Sequence, residues 1–144
     1  MNSGKSDTLI KTAYNYAERG LKCIVLKPSI DSKGGTQIIA RAGSTRDVDI
    51  LVDAQTDVRT AISGYDAPAC VLVDESQFLA PAQVDQLYKV AKLDGVSVIC
   101  YGLRTDFRTE VFPGSLRLFE LADNIEKLQR CVFVVHKPNL TPEG

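Results

Sequence analysis

The sequence predicts an α/β fold in which helices flank an open, mostly parallel β-sheet. Three observations lead to this prediction. Short, continuous apolar runs recur along the chain, and such runs are typical of strands buried on both faces. Segments with helical periodicity separate these runs, which is the pattern of strand–helix–strand units. The 144 residues are enough for one domain with its own core, and no apolar run is long enough to span a membrane.

The first predicted elements are a helix and a buried strand. Apolar residues fall on one helical face between residues 6 and 19, and Gly20 follows where a left-handed helix cap is expected. A strand is predicted at residues 22–27, where a continuous apolar run is ended by Pro28. The sequence therefore predicts a helix followed by a buried strand at the start of the domain.

The next segment is harder to assign. Residues 29–47 are rich in glycine, serine and charge, and they predict a loop. A short strand is predicted at residues 48–52. Asp53 is a candidate N-cap for a helix that runs to about Ser63 and ends at Gly64.

The remainder of the chain alternates more regularly between strands and helices. The predicted elements are a strand at 70–73, a helix at 81–94 closed by Gly95, a strand at 96–101, a short helix at about 116–122 and a strand-like run at 131–135. The tail from residue 137 onwards predicts irregular structure.

The start of the chain carries the first chemical motif. Gly4-Lys5-Ser6, at the beginning of the first predicted helix, matches the second half of a phosphate-binding loop. Backbone N–H groups at a helix N-terminus face phosphate oxygens, a lysine adds positive charge, and a serine hydroxyl can ligate Mg²⁺. The motif is short and common by chance, so the rest of the chain has to support it.

A second motif follows the predicted strand at 70–73. Asp74 and Glu75 come directly after this apolar run, which is the form of a Walker B strand, whose terminal aspartate holds Mg²⁺. Asp31 follows the preceding buried strand, so it is predicted at the same sheet edge, where ligands bind in open parallel sheets. The alternative for Asp74 is a purely structural role as a helix cap or a solvated loop residue.

Glu75 has two possible roles on residue chemistry alone. A carboxylate beside the metal-holding Asp74 can accept the proton of an alcohol that attacks the γ-phosphate. It can equally polarise a water molecule, which would make the protein an ATPase. The sequence chemistry leaves both open.

Charge and cysteine usage limit the class of protein. The formal net charge is −1, which gives no electrostatic footprint for nucleic acid or an anionic membrane. The four cysteines are widely spaced without a CxxC pair, and three of them lie in apolar, strand-like runs, where they are expected to be small buried hydrophobes. With no signal peptide before Met1, these features predict a reduced, cytoplasmic protein.

Several segments match one enzyme family in order and spacing. They are residues 1–6, 14–16, 18–20, 30–31, 71–79, 100–108 and 112–115. Through these segments the chain resembles the type II thymidine kinases, especially the enterobacterial branch. Asp-Glu-x-Gln-Phe at residues 74–78 and Gly-Leu-x-x-x-Phe-Arg at residues 102–108 are the most specific of the matching motifs.

The resemblance implies Mg²⁺-dependent transfer of the ATP γ-phosphate to the 5′-hydroxyl of thymidine, a step in deoxynucleoside salvage. It implies Glu75 as the general base and Ser6 and Asp74 as Mg²⁺ ligands. The residues implied to bind ATP or its phosphates are Asn2, Ser3, Gly4, Lys5, Ser6, Asp31 and Lys33, of which Lys33 stands where the family often has arginine. The residues implied to wall the thymine ring are Met1, Phe78, Leu103, Phe107 and Phe112.

The same resemblance sets expectations for the domains and partners. Residues 1–130 are expected to form the nucleotide-binding domain, and residues 131–144 a mostly irregular remnant of the family's C-terminal region. The chain is expected to be truncated at both ends and to lack most of the family's zinc and lasso region, because Cys131 and His136 alone cannot fill a tetrahedral zinc site. A homo-oligomer, either tetramer or dimer, and feedback binding of thymidine triphosphate are also implied. A member that binds nucleotide or assembles without catalysis is the alternative expectation.

Overall fold

A computed structural model describes residues 5–29, 37–39, 43–66, 68–102, 112–127 and 131–135 of the chain. The helices and strands, in chain order, are α1 (Lys5–Glu18), β1 (Cys23–Pro28), β2 (Gln37–Ile39), β3 (Thr45–Asp47), β4 (Ile50–Val52), α2 (Val58–Ser63), β5 (Cys70–Val73), α3 (Pro81–Lys92), β6 (Ser97–Gly102), α4 (Pro113–Leu121), β7 (Asn124–Lys127) and β8 (Cys131–Val135). A 3₁₀ turn at Ser76–Phe78 lies between β5 and α3.

The main sheet has six strands in the order β4-β1-β5-β6-β8-β7. Strands β4, β1, β5 and β6 are mutually parallel, whereas β8 pairs antiparallel with β6 and β7 pairs antiparallel with β8. The prediction of an open, mostly parallel α/β sheet is therefore confirmed. Strands β2 and β3 form a separate antiparallel pair inside the segment predicted to be a loop.

Both faces of the sheet are covered, because alternate residues of each central strand point to opposite sides. On one face, α1 packs Leu9 and Ala13 against side chains that include Val25, Leu72 and Tyr101. On the other face, helices α2, α3 and α4 cover a larger core whose buried members include Ile24, Leu26, Val58, Val71, Val73, Leu87, Val90 and Leu118.

The direction of α1 determines where its N-terminus lies. Helix α1 ends at Glu18 and β1 begins at Cys23, so the helix runs antiparallel to the strand that follows it. Thr12 lies against Tyr101, near the end of β6, because the Tyr101 hydroxyl donates a hydrogen bond to Thr12 Oγ1 at 3.2 Å. The first turn of α1 therefore lies at the carboxyl edge of the sheet.

The start of α2 corrects one prediction. Asp57, not Asp53, is the N-cap, and its carboxylate accepts a hydrogen bond from the Thr60 N–H at 3.0 Å. Asp53 instead accepts hydrogen bonds from the Gln55 N–H and the Thr56 hydroxyl, both at 2.9 Å, in a local turn. Aspartate favours turns as strongly as helix caps, so the sequence signal was ambiguous between the two positions.

The end of the described chain contains an unpredicted strand. Strand β7 consists of Asn-Ile-Glu-Lys, which has no apolar run to announce it and is a strand because it pairs with β8. The strand-like run at 131–135 is confirmed as β8, so the expectation of irregular structure is wrong for these five residues. Among the helices that the structure describes, none combines the length and apolar character needed to cross a bilayer.

Candidate active site

Asp74 occupies the position directly after β5. It is 3% exposed, and its backbone N–H donates to the carbonyl of Leu26 at 2.9 Å, which continues the pairing of β5 with β1. Its Oδ1 accepts a hydrogen bond from the Glu75 N–H at 3.0 Å. The strand pairing therefore fixes a buried carboxylate at the carboxyl edge of the sheet.

Glu75 has an unusual backbone conformation. Its φ of 52° and ψ of 42° are left-handed, and within the described ranges it is the only non-glycine residue with positive φ. Such a conformation costs on the order of 1 kcal/mol and persists where the surrounding structure enforces it, which is often at functional sites. The side chain is half-buried, and its Oε1 accepts a hydrogen bond from Gln77 Nε2 at 2.8 Å.

Two phenylalanines lie next to this turn. Phe78 ends the 3₁₀ turn and Phe112 precedes α4, and their rings meet edge to face with centroids 5.7 Å apart and an interplanar angle of 78°. Phe78 is 38% exposed and Phe112 is half-buried. The structure thus brings two of the predicted thymine-wall residues together. One of them, Phe78, lies three residues after Glu75 in the chain.

The predicted phosphate loop is described only in part. Lys5 and Ser6 form the start of α1, at the same sheet edge as Asp74, where the positive end of the helix dipole favours anions. The backbone of these two residues is described, but their side chains are not. The predicted site residues outside the described part of the chain are Met1, Asn2, Ser3, Gly4, Asp31, Lys33, Leu103 and Phe107.

Lys27 is a charged residue at this edge that the sequence analysis did not assign. It is only 4% exposed, and the strand register places it level with Asp74, one residue beyond the Leu26–Val73 pair. Alternation along β1 and β5 directs both side chains to the face that α1 covers. Its Nζ donates to the carbonyl of Gln37 in β2 at 3.4 Å. In the sequence, Lys27 could have been noticed as a lysine that directly follows the apolar residues of a predicted strand.

Three cysteines and Tyr101 are buried in the two cores that flank the sheet. Cys23, Cys70 and Cys100 are free and buried, and burial raises the pKa of Cys100 to about 12. Burial also raises the pKa of Tyr101 to about 12, so its hydroxyl stays neutral and donates to Thr12. The interpretation of these three cysteines as buried hydrophobes is confirmed.

The metal-binding potential of the site rests on Asp74. Among the residues that the structure describes, no three histidine, cysteine, aspartate or glutamate side chains are arranged so that they could hold a metal ion. Mg²⁺ does not need such a cage, since it keeps several waters and is commonly held by one or two carboxylates plus substrate phosphates. A buried carboxylate oxygen at the sheet edge fits this ion. The prediction that Cys131 and His136 do not form a zinc site concerns the Cys131 side chain and His136, which lie outside the described part of the structure.

Comparison with known proteins identifies the family. A family model described as thymidine kinase matches residues 1–141 of the chain. The chain belongs to the thymidine kinase family. The prediction made from the motifs is therefore confirmed, and membership indicates an ATP-dependent kinase.

Individual thymidine kinases agree with this assignment. The chain is 40% identical over 143 residues to the thymidine kinase of Photorhabdus laumondii. The aligned region covers 96% of this chain and 71% of the relative. It is 41% identical over 145 residues to that of Xanthomonas axonopodis pv. citri, covering 98% and 69% respectively. Identity to the Shewanella oneidensis enzyme is 41% over 144 residues, covering 97% and 74%.

Proposed function

We propose that this chain transfers the γ-phosphate of ATP to the 5′-hydroxyl of thymidine, with Glu75 as the general base. The observation that carries the proposal is the Asp74–Glu75 pair, in which two adjacent carboxylates at the end of β5 have different environments. Asp74 is buried against β1, whereas Glu75 is half-buried and held by an amide donor beside two aromatic rings. Different environments suit different chemical roles for the two groups.

Asp74 is the group suited to hold Mg²⁺, together with the hydroxyl of Ser6. Mg²⁺ held by these two residues would supply positive charge against the phosphates of ATP. The chain's contribution is a carboxylate whose position is set by strand pairing, so little reorganisation is required when ATP arrives. Lys5 and the N-terminus of α1 would add positive potential for the phosphates at the same edge.

Glu75 is the group suited to accept a proton. The 5′-hydroxyl must lose its proton as its oxygen bonds to phosphorus, and a carboxylate within hydrogen-bond reach can accept it. Because Glu75 follows Asp74 directly, its carboxylate would lie near the γ-phosphate of an ATP molecule whose Mg²⁺ Asp74 holds. The left-handed backbone turns the chain sharply after β5, and this turn allows adjacent residues to serve the two roles.

The Phe78–Phe112 pair supports thymidine as the acceptor. The two rings are nearly perpendicular, so one exposed ring face of Phe78 is available for a base to stack on, and such stacking contributes about 1–3 kcal/mol per base. We propose that Met1, Leu103 and Phe107 complete this wall, and that Asn2, Ser3, Gly4, Asp31 and Lys33 complete the phosphate site. Homo-oligomers, feedback binding of thymidine triphosphate and a cytoplasmic location remain proposals based on the family.

The test is a transfer assay with γ-labelled ATP, Mg²⁺ and thymidine. We expect the label in thymidine monophosphate, and ADP formation that depends on thymidine. Label released only as inorganic phosphate at a thymidine-independent rate would contradict the proposal and indicate an ATPase. Calorimetric binding of ATP·Mg²⁺ without any transfer would contradict it as well, and would indicate a binding protein.

A further inference from the structure

Gln77 is a buried polar side chain with an evident partner in the site. It is 3% exposed, and its Nε2 donates to Glu75 Oε1 at 2.8 Å. Burying an amide is costly unless its hydrogen bonds are made, so such a group has a specific structural reason to be there. The hydrogen bond to Glu75 supplies such a reason, because Glu75 is the proposed general base.

The Gln77 amide lies against the backbone of Gly102, at the end of β6. A Cβ at Gly102 would stand 2.7 Å from Gln77 Oε1 and 2.6 Å from Ser76 Oγ, closer than real Cβ contacts allow. The glycine is therefore required for the glutamine amide to occupy this position. Gly102 also begins the segment that the family resemblance singled out, where it had no assigned role.

The turn that carries Gln77 is fixed on other sides as well. A Cβ at Gly114, in the first turn of α4, would clash with the carbonyl of Leu79 and stand 3.2 Å from that of Gln77. The Ser76 hydroxyl donates to the Tyr101 carbonyl at 3.0 Å, which ties the turn to β6. Close packing against β6 and α4 leaves the Gln77 side chain little freedom to reorient.

We infer that Gln77 is a positioning residue that orients the Glu75 carboxylate for proton transfer. This inference rests on the proposed function of Glu75. An amide donor on Oε1 fixes the rotation of the carboxyl group, so that the group meets the acceptor hydroxyl in one orientation.

The first test removes the amide and keeps the side-chain volume. In Gln77→Met we expect kcat for thymidine phosphorylation to fall about 10- to 100-fold, since small displacements of a reacting group cost up to about 100-fold. We expect KM for ATP to stay within about threefold. The matched control is Gln83→Met, because Gln83 is also a buried glutamine and donates to the Asp53 carbonyl at 2.7 Å, away from the site. It should keep the wild-type kcat.

A second variant disturbs the same contact without changing Gln77. Gly102→Ala places a methyl group against the glutamine amide and should reduce kcat in the same way. This variant keeps the inference testable if Gln77→Met does not fold, as judged by circular dichroism. Wild-type kcat in either folded variant would overturn the inference.

A double-mutant cycle separates positioning from a general structural effect. If Gln77 acts through Glu75, Gln77→Met should leave the residual rate of Glu75→Gln unchanged within about twofold. An equal loss in both backgrounds would show that Gln77 acts independently of Glu75 and would contradict the inference. Absence of thymidine-dependent transfer by the wild type would instead reject the proposed function, so the two failures are distinguishable.

Discussion

At the residue scale, two adjacent carboxylates at the end of β5 are held in different ways. Asp74 is buried and anchored by β-pairing, whereas Glu75 has left-handed backbone and a half-buried side chain. A glutamate in the left-handed region lowers the unfolding free energy relative to a glycine, because its Cβ is close to the following carbonyl oxygen. The strained backbone thus occurs at the residue proposed to be the general base.

Phe78 provides a residue-scale prediction about the acceptor site. Phe78→Ala should raise the KM for thymidine about tenfold, because it removes one of two rings that form the proposed wall for the base. It should lower the unfolding free energy by less than the ~3–5 kcal/mol typical of a fully buried phenylalanine, since the ring is 38% exposed.

The control for this prediction is Leu93→Ala. Leu93 is an apolar side chain that is 67% exposed at the end of α3, remote from the carboxyl edge, so the thymidine KM should be unchanged. An unchanged KM in Phe78→Ala as well would show that the rings do not contact the substrate.

The sequence was informative about the chemical residues and less so about their supports. Asp74 and Glu75 were predictable because an apolar run followed by acidic residues places them at a strand end. The proposed role of Gln77 and the position of Lys27 beside Asp74 were not predictable, because they depend on a left-handed backbone turn and on the β1–β5 register, respectively. Neither of these features leaves a local trace in the amino-acid sequence.

At the element scale, the ends of the helices show how the backbone limits substitution. Gly20, after α1, has φ of +76°, and an added Cβ would have no neighbour within 4 Å. Gly64, after α2, has φ of −75°, and its Cβ would meet only the Ala61 carbonyl at an ordinary 3.6 Å. The two glycines therefore differ in backbone conformation far more than in available space.

This difference predicts opposite effects on stability. Gly20→Ala should lower the unfolding free energy by about 1 kcal/mol, because alanine is strained at positive φ. Gly64→Ala should raise it by about 0.4–1 kcal/mol, because alanine reduces the entropy of the unfolded chain. Urea denaturation measures both, and equal shifts for the two variants would contradict the assigned conformations.

Elements were predictable from sequence where burial dictated composition. Strands β1, β5, β6 and β8 have apolar runs because both faces of the sheet are covered, and α3 has its periodic stripe for the same reason. Strands β3 and β7 contain mainly polar residues and exist through their pairing partners. Predicting them requires knowledge of the tertiary structure.

At the scale of the whole molecule, the parallel sheet brings the elements that carry the proposed functional groups to one edge. The first turn of α1, the end of β1, the Asp74–Glu75 turn and the end of β6 all lie there, although they are far apart in sequence. A ligand that contacts several of these elements should stabilise the folded chain as a unit, since only the folded state brings them together.

This arrangement predicts coupled stabilisation by nucleotide and metal. ATP·Mg²⁺ at 100 times its Kd should stabilise the protein by about 2.7 kcal/mol, seen as a rise in Tm. EDTA should remove most of this rise, and Asp74→Asn should reduce it, because the proposed metal ligand is lost. The control is Asp85→Asn in α3, where the carboxylate pairs with Arg117 of α4, and this variant should retain the full rise. An equal rise with and without Mg²⁺ would contradict the assigned metal site.

The central claim is that Glu75 accepts the proton of thymidine while Asp74 and α1 hold the phosphates. The most direct measurement is kcat for thymidine-dependent ADP formation by Glu75→Gln, with ATP·Mg²⁺ affinity measured on the same sample. We predict a fall of about 10²- to 10⁴-fold in kcat, the usual contribution of a general base, with the ATP·Mg²⁺ affinity retained. A kcat equal to that of the wild type would contradict the account.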